Sequence, residues 1–119
     1  MRTGGVTADA FPAPAALAAF LAATMRHKVV FKATAGLHHA VRGNFRLTYE
    51  PGAAEAPMYG YLNVLLATAA LHAGRPVAAA EAILQETDGA TLIFADDMAR
   101  WAPTASRCRS CAIPVPATW

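Results

Sequence analysis

The stretch Lys28-Val29-Val30-Phe31-Lys32-Ala33-Thr34-Ala35-Gly36-Leu37-His38-His39 decides how the chain is read. Its first half is apolar and β-branched without alternation, the pattern of a parallel strand covered on both faces. Its second half gathers Lys32, Thr34, Gly36, His38 and His39 where such a strand would end, and α/β sheets place ligand sites at the carboxyl ends of their strands. The spacing predicts a buried strand over residues 28–34, a sharp exit at Gly36 and a site-like loop beyond.

Upstream, Pro14 suits a first helical turn, and Leu17, Phe20, Leu21 and Met25 recur at helical spacing, predicting a helix to about Arg26. His27 and Lys28 close it, with cations near the negative end of the dipole. Before it, Arg2-Thr3-Gly4-Gly5-Val6-Thr7 has the makings of an anion-binding loop, since the glycines free the backbone while Arg2 and Thr3 add a charge and a hydroxyl. No strand precedes this loop. The sequence therefore reads as though it began inside the end of one.

Downstream, residues 41–57 form a long polar connection punctuated by Gly43, Asn44, Pro51, Gly52 and Pro57, with a short extended piece over 45–49. A helix is expected from about Met58 to Ala73, with Leu62, Leu65, Leu66 and Ala69 buried and Gly74 as its stop. Another begins at Pro76, shows Val77, Ala80, Ile83 and Leu84 on one face and ends near 87–89. Residues 91–94 read as a short strand and 95–101 as a helical turn. One α/β domain over 1–101 is then followed by an irregular tail over 102–119, marked by Pro114 and Pro116.

The chain has 119 residues, well short of the roughly 250 of a complete (β/α)8 barrel. Only 15% of them are charged, against roughly 25% in average proteins, so sticky faces and association are expected. A net charge of +2 with scattered Lys and Arg leaves no footprint for nucleic acid or an acidic membrane. The apolar runs Ala15 to Met25 and Leu62 to Ala73 fall short of the roughly 20 residues that cross a bilayer, and no basic cluster opens the chain as in a signal peptide. A cytoplasmic location follows. Cys108 and Cys111 form a CxxC that lacks both the further ligands of a zinc site and the strand-helix setting of a redox pair, and they read as free thiols.

Lys32 is the sharpest chemical candidate. At the inner end of a buried strand its amine loses hydration and is driven toward a neutral form that can attack a carbonyl or take a proton. Charged, it would clamp a phosphate or carboxylate, and a lysine there can also simply reach out to solvent. His38 and His39 face opposite ways on an extended segment, so one of them is expected as ligand or proton shuttle rather than both as ligands of one metal. Thr34 and Asn63 either hydrogen-bond a ligand or are buried polar groups with backbone partners. His27 and His72 read as helix-surface or packing residues and Asp96-Asp97 as a solvated turn, and no metal or cofactor is expected.

The run Lys32-Ala33-Thr34-Ala35-Gly36, of form Lys-x-Ser/Thr-x-Gly, resembles the active-site strands of class I aldolases of the deoxyribose-phosphate aldolase type. That resemblance implies a (β/α)8 barrel with two lysine strands, one lysine forming a Schiff base and the other tuning it. Arg2-Thr3-Gly4-Gly5 would stand at the neighbouring strand end, without its lysine. The longer run Phe31 to His39, followed by Gly60-Tyr61-Leu62-Asn63-Val64, is similar to the C-terminal half of a bacterial family of uncharacterised proteins. In that family an Arg-Thr-Gly-Gly strand end precedes a Lys-Ala-Thr-Ala-Gly-Leu-His-His one. The likeness covers residues 1 to about 100 and implies no established activity; Ser106-Arg107-Cys108-Arg109-Ser110-Cys111 departs from the Gly-Ser-Cys-Ser-like segment that ends the family's members.

These readings predict an α/β partial (β/α)8 barrel, with parallel strands, crossover helices and an irregular C-terminal tail, and with residues 2–7 and 32–39 side by side on one rim. The expected function is small-molecule binding, with lyase- or transferase-like chemistry on a small phosphorylated or carboxylated carbonyl compound. Lys32 would be nucleophile or anion clamp, His38 or His39 the proton shuttle, and Arg2, Thr3, Gly4 and Gly5 the anion cradle, with Thr34, Gly36 and Asn63 at the ligand. The rival expectation is a truncated, non-catalytic fragment that needs a missing N-terminal half, a partner or a second copy, because open sheet edges and low charge favour association.

Overall fold

Pro14 pre-sets the first turn of helix α1 (Pro14–His27), and its alanines let neighbouring helices approach closely. Lys28 ends the helix. It takes the left-handed conformation (φ 53°, ψ 40°) and donates its backbone N–H to the carbonyls of Met25 and Thr24. The computed structural model describes residues 1–96 and 98–102 and the backbone of 111–114. Along the chain follow β1 (Gly43–Arg46), β2 (Glu55–Met58), α2 (Tyr61–His72), α3 (Val77–Gln85), β3 (Leu92–Phe94), β4 (Met98–Trp101) and β5 (Cys111–Pro114).

The three helices pack on one another around Leu17, Leu21, Leu66, Ile83 and Leu84, with Ala18, Ala67, Ala70 and Ala80 at the close approaches. Strands β1 and β2 form an antiparallel pair, with Gly43 opposite Met58 and Arg46 opposite Glu55. The second sheet is also antiparallel, in the order β3-β4-β5, and buries Leu92, Ala99 and Trp101 against the helical core.

The parallel partial barrel is therefore corrected. Both sheets are small and antiparallel, and residues 28–33 belong to neither. Val29 donates its N–H back to the Thr24 carbonyl at 3.0 Å, and Val30 beyond it is 97% exposed. A β-branched run specifies extended backbone, but a parallel strand also needs partners on its edges and cover on both faces. The chain supplies single parallel bridges instead, Arg2 with Thr34 and His39 with Gly60. Residues 95–101 are no helical turn: β4 folds back on β3 and sets Trp101 opposite Leu92. The segment after residue 102 is not irregular throughout either, since 111–114 pair with β4 as β5. Cys111 opens that strand, while Cys108 and Asp97 lie outside the described residues.

The buried stripe of α2 is Asn63, Val64, Leu66, Ala67 and Ala70, one position round from the expected one, and Leu65 is half exposed. Around α1, the run Ala8–His27 spans 20 residues at mean hydropathy 1.3, enough by length and composition to cross a membrane and longer than the run read from sequence. Here it presents Leu17, Ala18, Leu21 and Thr24 to the core of a globular body.

Asn63, fully buried in the first turn of α2, joins the parts. Its Oδ1 accepts the Arg42 backbone N–H at 2.9 Å, and its Nδ2 donates to the carbonyls of Ile83 and Glu86 at 2.8 Å each. Gly60 must be glycine for the same packing, because a Cβ there would run into the Ala40 carbonyl, the Val41 Cα and the Asn63 amide. At the end of α3, the Glu86 carboxylate accepts the Trp101 indole N–H at 2.9 Å and the backbone N–H groups of Thr87 and Asp88 at 3.0 Å. Burial acts to raise its pKa, but these donors and the Thr91 hydroxyl outweigh it and hold the group below its ordinary value.

Asn63→Ala strands the Arg42 N–H and the two carbonyls that the amide satisfies, and is expected to lower the unfolding free energy by about 2–4 kcal/mol. Urea titration followed by circular dichroism checks it; a loss within error of zero would show that the clamp carries no stability. Because the folded pKa of Glu86 is depressed, its stabilisation is complete above the unfolded value near 4.5 and is lost as pH falls through the folded one. In Glu86→Gln, stability should accordingly fall less steeply below about pH 4.5 than in the parent chain, measured by thermal unfolding across pH.

Candidate functional site

Thr34 brings the N-terminal loop and the 35–39 turn together. Its N–H donates to the Met1 carbonyl at 3.0 Å and its carbonyl accepts the Thr3 N–H at 2.9 Å. The buried Thr3 hydroxyl donates to the carbonyls of Thr34 and Ala35. The chain then turns sharply, with Ala35 and Gly36 both left-handed at φ 66° and 75°. Gly36 crosses against Gly4 so closely that a Cβ on it would lie 3.0 Å from the Gly4 Cα. Beyond the turn, the His39 carbonyl accepts the Tyr61 N–H at 2.9 Å, and its imidazole stacks on Phe45 with centroids 3.4 Å apart and planes 9° from parallel.

Between the N-terminal loop, this turn and the segment leaving β1 lies an open cavity of about 740 Å³. Arg2, His38, His39 and Arg46 line it, with Gly5 and Gly36, and among the described lining residues none is a carboxylate. The burial pattern of β1 alternates, so Phe45 faces inward while Arg46 stands exposed at the rim. Val6, Leu47, Met58 and Tyr49 supply apolar and aromatic wall. A concave site with cations, glycine backbone and no acid is suited to an anion held by charge-assisted hydrogen bonds.

Of the residues singled out in the sequence, Arg2, Gly5, Gly36, His38 and His39 meet at this cavity. Thr3, Gly4 and Thr34 build its frame rather than its lining. Asn63 and Lys32 do not line it. The Asn63 amide is occupied in the core, while Lys32 is exposed, away from any buried strand end that would desolvate its amine, and its carbonyl accepts the Met1 amino group at 2.8 Å. Phe45, Arg46, Thr48 and Tyr49 are among the lining residues the sequence did not mark as a site; the alternation of Phe45 and Leu47 with Asn44 and Arg46 was the available signal that one side of this connection faces inward.

Beside β1, the Arg42 guanidinium lies 4.7 Å above the Tyr59 ring, whose hydroxyl donates to the Pro12 carbonyl at 2.6 Å. Burial raises the Tyr59 pKa, against the partial opposition of Arg42. The Nη1 of Arg42 is buried with no hydrogen-bond partner among the described residues. A second, shallower groove of about 540 Å³ is lined by Thr24, Met25, Lys28, Val29, Val30, Phe31, Thr68 and His72. Among the described residues no group of three or more His, Cys, Asp and Glu side chains is placed to hold a metal ion. In comparison with known proteins, no family model, curated protein or solved structure matches the chain.

Proposed function

We propose that the cavity beside Arg2 binds a small phosphorylated or carboxylated compound, and that the chain acts as a small-molecule-binding domain in the cytoplasm. The observation that carries this reading is the charge of the wall: Arg2, Arg46 and two imidazoles with no carboxylate among the described lining residues. The substrate class is also the one implied by the aldolase resemblance. The covalent step is left out of the proposal, because Lys32 stands exposed and outside the cavity. Binding here calls on neither nucleic acid nor membrane, and the role of α1 in the core supports the soluble reading.

A second reading is favoured by one exposed segment. Val29 and Val30 lie 54% and 97% exposed beside the groove on α2, which suits a face that is covered by a partner or a second copy.

Calorimetric titration of the intact chain with inorganic phosphate and with glyceraldehyde 3-phosphate should show binding, weakened about tenfold or more by Arg2→Ala. No heat with either compound, or binding indifferent to Arg2, would overturn the anion-binding reading. Borohydride trapping with the same aldehyde should leave no selective adduct on Lys32; selective labelling that disappears in Lys32→Ala would restore the Schiff-base mechanism. For the second reading, sedimentation should show self-association that Val30→Lys abolishes without loss of fold, whereas a monomer at all concentrations would reject the second copy.

A further inference from the structure

The anion-binding reading leaves most of the cavity's wall unexplained. A phosphate needs Arg2, an imidazole and glycine backbone, yet the same cavity extends to Phe45, Leu47, Tyr49 and Met58 and reaches about 740 Å³. That volume sits in the upper part of the range of about 300–1,000 Å³ that encloses drug-sized ligands, and is far more than a triose or pentose phosphate fills.

Tyr49 is the second clue. Its side chain is 102% exposed, so no packing against the core accounts for its place on the cavity wall. An aromatic ring held wholly in water beside a cavity is free to take another flat ring on its face. The third clue is the His39–Phe45 pair, already stacked face to face at 3.4 Å and both lining the cavity, which offers a flat surface for a further ring. The aromatic wall comes from β1 and the segment after it, while Arg2 comes from the N-terminal loop, so one ligand touching both must carry an aromatic system and an anionic group on a spacer.

We infer that the ligand is a nucleoside 5′-monophosphate, its phosphate on Arg2 and His38 and its base against Tyr49 and the His39–Phe45 pair. This rests on the anion-binding reading above. The absence of carboxylates among the described lining residues bears on the rest of the ligand as well. No acid is placed there to hold the magnesium ion that accompanies a nucleoside triphosphate, which selects the monophosphate. No acid is placed there to bind a ribose diol, so ribose and deoxyribose forms are accepted alike. The Thr48 and Tyr49 hydroxyls and the Arg46 guanidinium are side-chain groups on that wall able to hydrogen-bond a base edge.

The test compares inorganic phosphate, ribose 5-phosphate and adenosine 5′-monophosphate on the intact chain by calorimetry. The nucleotide should bind about 5- to 100-fold more tightly than ribose 5-phosphate, the advantage that stacking one base confers. Tyr49→Ala should cut that advantage several-fold and leave ribose 5-phosphate binding unchanged; the variant keeps its fold, since Tyr49 packs against nothing in the core. Arg2→Ala should weaken all three. Equal affinity for the nucleotide and ribose 5-phosphate, or a nucleotide advantage undiminished in Tyr49→Ala, would overturn the nucleotide inference while leaving the anion reading intact. Failure of all three ligands to bind would overturn both.

Discussion

A primary amide can be sealed in a protein core only if its polar atoms find partners there. Asn63 finds them on the backbones of Arg42, Ile83 and Glu86, so the first turn of α2, the approach to β1 and the end of α3 hold one mutual geometry. Glu86 extends the chain of constraints through the Trp101 indole into β4. The helical core thus fixes both sheets. The cavity inherits its aromatic wall from this arrangement, because β1 begins directly after the residue whose N–H the amide holds.

The helices were legible because their signals are local. Pro14 and Gly74 punctuate them, and the positive φ of Gly74, 76°, is the stop its residue type announces. Asn63 was visible as an odd amide in an apolar run, but its partners lie 20 and more residues away, and no local pattern names them. The stretch 28–39 is not the covered parallel strand that its composition suggests. Its β-branched half joins no sheet: Lys28 turns the chain in the left-handed conformation, Val29 bonds back to the Thr24 carbonyl and Phe31 packs edge-on against Phe20 of α1. Its glycine and histidine half meets the Arg2 loop, but through a single bridge at Thr34 and a shared cavity, not through the crossover-linked parallel strands that were expected. Arg46 and Tyr49 escaped notice because the connection carrying them was punctuated like a plain loop.

The same chain also shows why apolar composition is a poor guide to location. The 20 residues Ala8–His27 satisfy the length and hydropathy of a membrane span, with 22% of that window buried. What distinguishes α1 as a core element here is the pattern of its contacts: Leu17, Ala18 and Leu21 pack toward α2 and α3, while Ala15, Ala16 and Ala19 face outward. An alanine-rich outer face raises hydropathy without creating the large side-chain surface that would demand cover. The demand for cover falls instead on Val29 and Val30, and on Tyr61 and Leu65, which stand four residues apart on α2 and are each half exposed.

The cavity wall carries two kinds of group, imidazoles and guanidinium ions, with different chemical demands. General acid–base catalysis requires a group of suitable proton affinity held at hydrogen-bonding reach of the reacting atom. The two imidazoles are the proton-transfer candidates on this wall, and among the described residues neither is oriented by a side-chain hydrogen bond to a carboxylate or carbonyl. His39 is committed to its stack on Phe45, and His38 is exposed. Arg2 and Arg46, by contrast, present guanidinium forks that attract an anion without an orienting partner. A wall built of guanidinium groups, glycine backbone and aromatic faces is suited to holding an anion, the property on which the proposed binding role rests.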